Sequence, residues 1–450
     1  MNSTMVKDLT KGNVVTLLIK FALPLFLSNA LQAIYNIVDM IVVGQFIGGT
    51  GMSAVSIGGD ILHFLTFVAM GFSSAGQVII AKNVGAGKLD EVKKTIGTLF
   101  TFLLFSSVFI SIVCYIIRVP MLKLLNTPPE SFQYTLQYTV TCIIGLVFIY
   151  GYNIVSAILR GMGDSKRPFV FVAIAAILNI VLDILFVAVF DMEVFGAALA
   201  TVIGQGVSFI ISLIYLYNKK ESFSFDFKFK SFIPCRNTLK NIVALGVPMA
   251  IQSAAISISK IVLMSWINIF GVTYSALAGI FNKVGTMISV VSNSFTTAGS
   301  AMVGQNLGAK KDQRVLEILK TVAVVGISIS VILSIVIAIF PSQVFSAFTN
   351  DSEVLSVANI LIIPIILNFM GAATRSISFS IINGSGNTKL NLAVALIDGV
   401  ISRIGLSALL GFTFNMDCVG FWYGDAIAGF VPIIIGISFL ISGKWRTETN

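Results

Sequence analysis

The sequence predicts an all-α polytopic membrane protein of twelve transmembrane helices, arranged as two six-helix lobes. Three observations support this fold class. First, 56% of the residues are hydrophobic and only 11% are charged, whereas soluble domains usually carry about 25% charged residues. Second, apolar stretches of about twenty residues, the length that crosses a bilayer core, recur along the whole chain. Third, the first half of the sequence is repeated in the second half.

The apolar stretches are predicted to be helices because lipid offers the backbone no hydrogen-bond partners. They are also too long and too evenly apolar to be strands of a membrane barrel. We number them in chain order as spans 1 to 12: 14–43, 53–81, 95–117, 132–158, 168–190, 194–217, 241–270, 273–304, 317–340, 353–382, 390–413 and 418–442.

Two segments of the first half return in the second half at an offset of 223 residues. AGQVIIAKNVGAGK (75–88) returns as AGSAMVGQNLGAKK (298–311), with Ala, Gly, Asn, Gly, Ala and Lys in register. ILRGMGDSK (158–166) returns as IINGSGNTK (381–389). Repeats of this length in a membrane protein are typical of a duplicated transporter unit.

Each half opens with a proline-bearing helix, since Pro24 in span 1 is matched by Pro248 in span 7 at an offset of 224. Each copy holds six spans, so the two copies should have the same orientation and be related by a pseudo-two-fold axis near the membrane normal. The predicted domains are an N-lobe (1–217), a cytoplasmic linker (218–240) and a C-lobe (241–450).

The net charge of +9 reflects topology rather than a nucleic-acid partner. With the N-terminus inside, 22 of the 29 Lys and Arg residues fall in inner segments, and only Arg118 and Lys123 fall in outer loops. This is the positive-inside pattern, and it predicts a multi-pass protein of the cell membrane with both termini in the cytoplasm. The four cysteines show no disulfide or metal-site spacing.

Two lone carboxylates interrupt long apolar runs. Asp39 lies in NIVDMIVVG of span 1, and Asp183 lies in ILNIVLDILFV of span 5. Only 20 acidic residues occur in the chain, and a charge at membrane depth is costly. An ionisable group there is a candidate for an ion or proton pathway.

Polar residues share a helix face with each carboxylate. In span 1, Asn29, Gln32, Asn36 and Asp39 follow one another at spacings of 3, 4 and 3, which places them on one face. Such a stripe should face a wet cavity, because lipid would penalise every member. We therefore treat Asn29, Gln32 and Asn36 as candidate substrate-cavity residues, together with Gln205 and Asn153.

The same spacing argument applies around Asp183. Asn179 and Asp183 are separated by four residues in span 5, as are Thr201 and Gln205 in span 6. Two carboxylates with amide and hydroxyl oxygens would suit Na⁺. The pair could also share a proton, since burial and a second carboxylate both disfavour the ionised form. The alternative is that each Asp simply bonds a neighbouring helix, an interaction worth about 1 kcal/mol or less.

The second half lacks these acids. At the repeat offsets the first-half positions correspond to other residue types: Asp39 to Leu263, Asn36 to Lys260, Asn179 to Ser402 and Asp183 to Leu406. The predicted ion or proton site is therefore confined to the N-lobe. The C-lobe has its own intramembrane charges, which are either mutually paired or part of a cavity wall: Lys260, Arg375, Asp398, Arg403 and Asp425.

The twelve spans, the P-x14-D pattern from Pro24 to Asp39 and the N-x3-D pattern of Asn179 and Asp183 resemble the multidrug and toxic compound extrusion (MATE) family. The acid placement resembles its DinF-like and MepA-like bacterial branch. The resemblance covers essentially the whole chain.

What the resemblance implies is a V-shaped pair of lobes that exchanges cationic or amphipathic drugs for protons or sodium ions. It also matches five positions of this chain with the N-lobe cation and proton site: Asp39, Asn179, Asp183, Thr201 and, beside them, Tyr138. No cofactor is expected beyond the coupling ion, H⁺ or Na⁺, which could bind at Asp39, Asn179, Asp183 and Thr201. No ATP site is visible, and one chain carries both lobes, which favours a functional monomer.

A further pair of charges occupies equivalent places in the repeat. Asp60 in span 2 corresponds to Lys283 in span 8 at the offset of 223. We predict that these two residues form a gate; the alternative is that both are solvated cleft residues. His63, the only histidine, is interpreted as a lining residue rather than a proton relay.

Two other function classes remain for comparison. A flippase for lipid-linked oligosaccharides or cell-wall precursors could use the same helix layout, but its cavity should be lined with arginines for pyrophosphate. An intramembrane enzyme is disfavoured, since the chain has one histidine and neither H-E-x-x-H nor G-x-S-x-G.

Overall fold

The computed structural model of this chain describes residues 6–223 and 225–449. Within these residues eleven helices are long and apolar enough to cross a membrane, and a bent pair makes a twelfth span. Each of the twelve predicted spans coincides with one of them, so the all-α polytopic fold class is confirmed. The chain termini, which the charge pattern places in the cytoplasm, lie outside the described residues.

The helices of the first half contain the two carboxylates. In chain order they are α1 (Val14–Phe46), α2 (Gly49–Gly85), α3 (Leu89–Leu124), α4 (Pro129–Ile144), α5 (Leu146–Gly161), α6 (Lys166–Asp183) and α7 (Glu193–Asn218). The helices α4 and α5 meet at 46° and together form span 4. A π-helical turn, Ile184–Val189, continues α6 to the end of span 5.

The described residues of the second half form ten α-helices, because several of its spans are divided into shorter helical segments. They are α8 (Arg236–Ile267), α9 (Val272–Gly308), α10 (Asp312–Ile339), α11 (Pro341–Ser346), α12 (Ser352–Val357), α13 (Ile362–Ser385), α14 (Thr388–Leu396), α15 (Arg403–Ala408), α16 (Asp417–Ala428) and α17 (Val431–Ile441). Two π-helical turns, Ile397–Ser402 and Leu409–Thr413, flank α15 and keep span 11 continuous.

Several helices are longer than the apolar stretches from which they were predicted. For example, α2 and its counterpart α9 each contain 37 residues and are about 55 Å long, whereas the hydrocarbon core is about 30 Å thick. The extra turns carry polar residues beyond the hydrocarbon. Pro24 lies inside α1 and Pro248 inside α8, as the repeat predicted.

The chain forms two compact units. The first unit comprises Leu23–Gly246 with the described residues up to Asp8, and the second comprises Leu9–Ala22 with the described residues from Val247 onward. The segment 218–240, predicted to be a linker, belongs to the first unit, and the start of α1 belongs to the second. The boundaries inside α1 and α8 lie within two residues of Pro24 and Pro248.

Candidate coupling site and charged cluster

The two carboxylates of the first unit are buried in the same region. Asp39 on α1 is 4% exposed and Asp183 at the end of α6 is fully buried. They lie close enough for the charge of Asp39 to act on Asp183. One oxygen of Asp39 and both oxygens of Asp183 accept no hydrogen bond from any described residue. Two unpaired carboxylates in an apolar setting require a proton or a cation, because an isolated buried charge is very costly.

A π-helical turn begins directly after Asp183. The backbone N–H of Phe190 donates to the carbonyl of Leu185, 2.9 Å away and five residues earlier. Such wide turns occur mostly as single insertions in α-helices, often at functional sites. The turn therefore interrupts the regular helix at the residue on which the acidic site depends.

Asn179 and Thr201 lie in the same buried region. Asn179 is one turn before Asp183, and its Nδ2 donates to Thr201 Oγ1 across a distance of 3.4 Å between α6 and α7. The Oδ1 of Asn179 has no described donor. The amide nitrogen is occupied and the amide oxygen is not. The region therefore holds several oxygens without a described hydrogen-bond donor, and no described Lys or Arg side chain forms an ion pair with Asp39 or Asp183.

Tyr138 on α4 closes the region from another side. Its buried ring is near enough to interact electrostatically with both Asp39 and Asp183. The ring packs on Gly58 of α2, where an added Cβ would overlap ring atom Cδ1 of Tyr138. Gly58 therefore lets the aromatic ring reach the carboxylates.

One residue near the site was missed by the sequence analysis. Tyr35 lies one turn before Asp39 on α1, interacts electrostatically with it, and its hydroxyl accepts a hydrogen bond from Gln205 Nε2 at 3.5 Å. The i, i+4 spacing from Asp39 was a signal that could have found it. Gln205 is thereby placed beside the stripe helix.

The remaining candidate cavity residues are more open. Asn29 and Gln32 are half-buried, and Asn36 is exposed. Asn153 donates to the carbonyl of Ile149 in its own helix at 2.8 Å. Only Asp39 of the polar stripe is therefore fully enclosed.

The gate residues are both exposed, Asp60 on α2 of the first unit and Lys283 on α9 of the second. His63 is also exposed and stands edge-on to Phe67, with ring centroids 4.6 Å apart. The gate stays a prediction.

The charges of the second unit form a paired cluster. Arg375 lies 3.2 Å from Asp398, Arg403 lies 3.7 Å from the same carboxylate, and Arg403 also donates to Asp425. Asp398, Arg403 and Asp425 are buried. The sequence left open whether these charges pair with one another or line a cavity. Arg375, Asp398, Arg403 and Asp425 are mutually paired. Lys260 differs, since it lines a cavity beside Asp425.

The cluster also corrects the repeat alignment. A π-helical turn arises when one residue is inserted into an α-helix, and Ile397–Ser402 has no counterpart among the described residues of the first half. Beyond it the offset is 224: Phe190 donates to Leu185 as Phe414 donates to Leu409.

The correspondence of Asn179 to Ser402 and of Asp183 to Leu406 was therefore wrong. With the offset of 224, Asn179 corresponds to Arg403 and Asp183 to Ser407. Thr201 corresponds to Asp425, because α7 and α16 begin 224 residues apart. The Asn179–Thr201 hydrogen bond of the first unit thus becomes the Arg403–Asp425 ion pair in the second.

Comparison with known proteins gives consistent matches along the chain. A family model described as MatE matches residues 24–185 and 248–409. The Probable multidrug resistance protein YoeA of Bacillus subtilis is 25% identical over 92% of this chain and 91% of its own. YpnP of the same organism, also named a probable multidrug resistance protein, is 29% identical over 68% of both. The crystal structure of MATE in the bent conformation matches all of both chains with a TM-score of 0.90 at 21% identity.

Proposed function

The chain belongs to the MatE family of transporters, and from this premise we propose that it is an antiporter that exports cationic or amphipathic drugs in exchange for H⁺ or Na⁺. The coupling ion would bind at Asp39 and Asp183. The observation that carries the proposal is the buried pair of carboxylates, in which Asp39 Oδ1 and both oxygens of Asp183 accept no hydrogen bond from a described residue. The names of the relatives as multidrug resistance proteins support the substrate class.

The residues around the pair fit either coupling ion. A proton on one carboxylate would remove the repulsion between Asp39 and Asp183 and the cost of burying two charges. A sodium ion would take oxygen ligands from the two carboxylates, Asn179 Oδ1 and Thr201 Oγ1, the hard ligand type that such a cation prefers. Among the described residues no group of three or more His, Cys, Asp or Glu side chains could hold a metal ion, and a monovalent cation needs fewer charges.

Exchange would follow from competition for negative charge. A cationic drug in the first unit would be held by the ionised pair, and arrival of the coupling ion would neutralise the pair and release the drug. Loss of that ion on the other side would restore the charge. Each ligand shifts the equilibrium between two states by its difference in affinity for them.

The drug itself would meet the polar face of α1 and α7 and the aromatic residues around it. Asn29, Gln32, Asn36, Gln205 and Asn153 would offer hydrogen-bond partners of low specificity. Flexible and aromatic apolar surfaces accept varied flat cations by cation–π and dispersion contacts.

Topology and location belong to the same proposal. The excess of Lys and Arg in inner segments supports a cell-membrane protein with both termini in the cytoplasm. Both halves of the pathway are encoded in one chain, which supports a functional monomer.

The flippase alternative requires cavity arginines that can bind a pyrophosphate, and the arginines of the second unit do not favour it. Arg375 and Arg403 contact Asp398 and Asp425, so carboxylates of the same unit already offset the charge that a pyrophosphate would need. The acidic first unit would also repel such a substrate.

The proposal is tested with purified protein in liposomes that contain a fluorescent cationic dye. Under an imposed proton or sodium gradient the wild type is expected to move the dye, and Asp183→Asn is expected to lose gradient-driven transport while keeping its fold. Asp90→Asn, which removes an exposed acid from the start of α3, is the matched control. Transport by Asp183→Asn at the wild-type rate would contradict the proposal.

A further inference from the structure

The second unit has a cavity at the place where the first unit has its carboxylates. It is lined by Lys260, Asn282, Phe281, Phe421, Trp422 and Asp425, among others. Lys260 and Asp425 correspond through the repeat to Asn36 and Thr201, and Leu263, which also lines the cavity, corresponds to Asp39. The two units therefore hold equivalent regions of different charge.

The charges of this cavity and of the cluster that adjoins it through Asp425 do not balance. Three cations, Lys260, Arg375 and Arg403, accompany two carboxylates, Asp398 and Asp425. Both carboxylates are in contact with the arginines. The cluster thus carries one positive charge in excess, whereas the first unit's site carries two carboxylates and no described cation within ion-pair distance.

The excess charge resides on Lys260. No described carboxylate lies within 4.0 Å of its ammonium group, although Asp425 is near enough to interact with it. Lys260 is half-buried in the membrane-spanning part of α8, where an uncompensated charge is costly. Its backbone position is fixed by the preceding residue, since Ser259 Oγ donates to the carbonyl of Gly399 in the π-helical turn.

Other donors line the cavity beside Lys260. The indole N–H of Trp422 is buried and donates to no described residue, and the side chain is 2% exposed. Asn282 adds a half-buried side-chain amide. An ammonium, an indole N–H and an amide within an apolar wall form the usual composition of a small polar-ligand site.

The size of the cavity restricts the ligand. Its volume is about 20 Å³, which is room for one water-sized particle. A halide or the oxygen of a carboxylate matches a space of this size. Asp425 is the only acid in the lining, and its contact with Arg403 offsets its repulsion of an anion.

We propose that Lys260 and Trp422 form a second binding site, which accepts a compact monovalent anion: a halide, or the carboxylate group of a bound molecule. Such a site would extend the ligands of this transporter to zwitterionic amphipaths whose acidic group docks in the second unit. Binding of the anion to the site does not require that the proposed antiport be correct.

The test is a titration of the purified full-length protein in detergent, held in potassium sulfate so that neither Na⁺ nor a monovalent anion is present. Potassium acetate and potassium chloride are added separately at constant ionic strength. Trp266→Phe and Trp445→Phe are combined in every protein titrated, so that tryptophan fluorescence reports on Trp422 alone. The midpoint of thermal unfolding gives a second readout, because a ligand of the folded state raises it.

The wild type is expected to show a saturable response, and Lys260→Gln is expected to bind about tenfold more weakly, the usual effect of losing a charged donor. Lys260→Arg should retain binding, as should the control Lys320→Gln, which removes another lysine of the same unit from an exposed position on α10 outside the lining. Saturation by acetate identifies a carboxylate site, and saturation by chloride alone identifies a halide site.

Three results would overturn the inference: no saturable response in the wild type, equal titrations for the wild type and Lys260→Gln, or an equal loss in Lys320→Gln. Each of these results would mean that Lys260 is a solvated side chain and does not bind an anion. Asp39→Asn separates this inference from the proposed antiport, since it should abolish coupled transport and leave the anion titration unchanged.

Discussion

Arg403 donates to Asp425 at the two positions of the second repeat that Asn179 and Thr201 occupy in the first. One helix contact has therefore been retained through duplication while its chemistry changed from a neutral hydrogen bond to an ion pair. The retained contact joins spans 5 and 6 in one unit and spans 11 and 12 in the other. The contact therefore joins the same two helices in each unit, and in the first unit it leaves Asn179 Oδ1 without a described donor, as the proposed ion site requires.

The ion pair should show strong coupling in a double-mutant cycle. Arg403→Met or Asp425→Leu alone leaves a buried charge without its partner and is expected to lower the free energy of unfolding by about 3 to 5 kcal/mol. The double variant should lose much less than the sum of the two, because no unpaired charge remains in that contact. Denaturant unfolding in micelles measures the three values, and additive losses would contradict the pairing.

Thr201 tests whether a hydroxyl oxygen takes part in cation binding. Thr201→Val keeps the shape of the side chain and removes the oxygen, so the Na⁺ concentration for half-maximal transport is expected to rise about tenfold. Thr201→Ser keeps the oxygen and should resemble the wild type. Equal Na⁺ dependence in the two variants would exclude this hydroxyl as a ligand and would favour a proton on the carboxylates alone.

Substitutions at Gly58 and at the adjacent Gly59 test whether the position of the Tyr138 ring matters. An added Cβ at Gly58 would enter the Tyr138 ring, whereas one at Gly59 would meet nothing within 4 Å. Gly58→Ala is expected to cost about 1 to 3 kcal/mol of stability, as overpacking usually does, and to weaken the response to the coupling ion. Gly59→Ala should be neutral or stabilising, because Ala favours a helix over Gly by up to about 1 kcal/mol.

Thermal unfolding and ion titration of the two glycine variants make this comparison. If Gly58→Ala lowers stability but leaves the ion response unchanged, Tyr138 has a packing role only. If both variants match the wild type, the close approach of the ring to α2 is wrong.

The spans were predictable from the sequence because hydropathy is a local property that a window of about twenty residues captures. The carboxylates were equally visible, since each interrupts an apolar run. Asn179 and Asp183 share a face at a spacing that the helix period determines. That Tyr138 lies beside them was predicted only through the family resemblance.

Other features were invisible because they depend on contacts between helices or on single insertions. The extra residue at Ile397–Ser402 leaves hydropathy unchanged, so a fixed repeat offset assigned Asn179 to the wrong partner. The contact of Gly58 with Tyr138 and the pairing of Arg403 with Asp425 join residues that are far apart in sequence. No local pattern identifies which side chains meet.

The last prediction concerns Asp60 and Lys283, which the sequence predicts to form a gate. If the two charges approach during the transport cycle, Asp60→Lys or Lys283→Asp alone would place like charges together and slow transport, while the double swap would restore attraction and recover it. The exposed pair Asp90 and Lys93 on α3, which lie 3.0 Å apart, provides a control swap that should leave dye efflux unchanged, because exposed ion pairs are worth little. Efflux from liposomes containing each variant is the measurement. A double swap no better than the single variants would show that Asp60 and Lys283 act independently, and the gate would then be wrong.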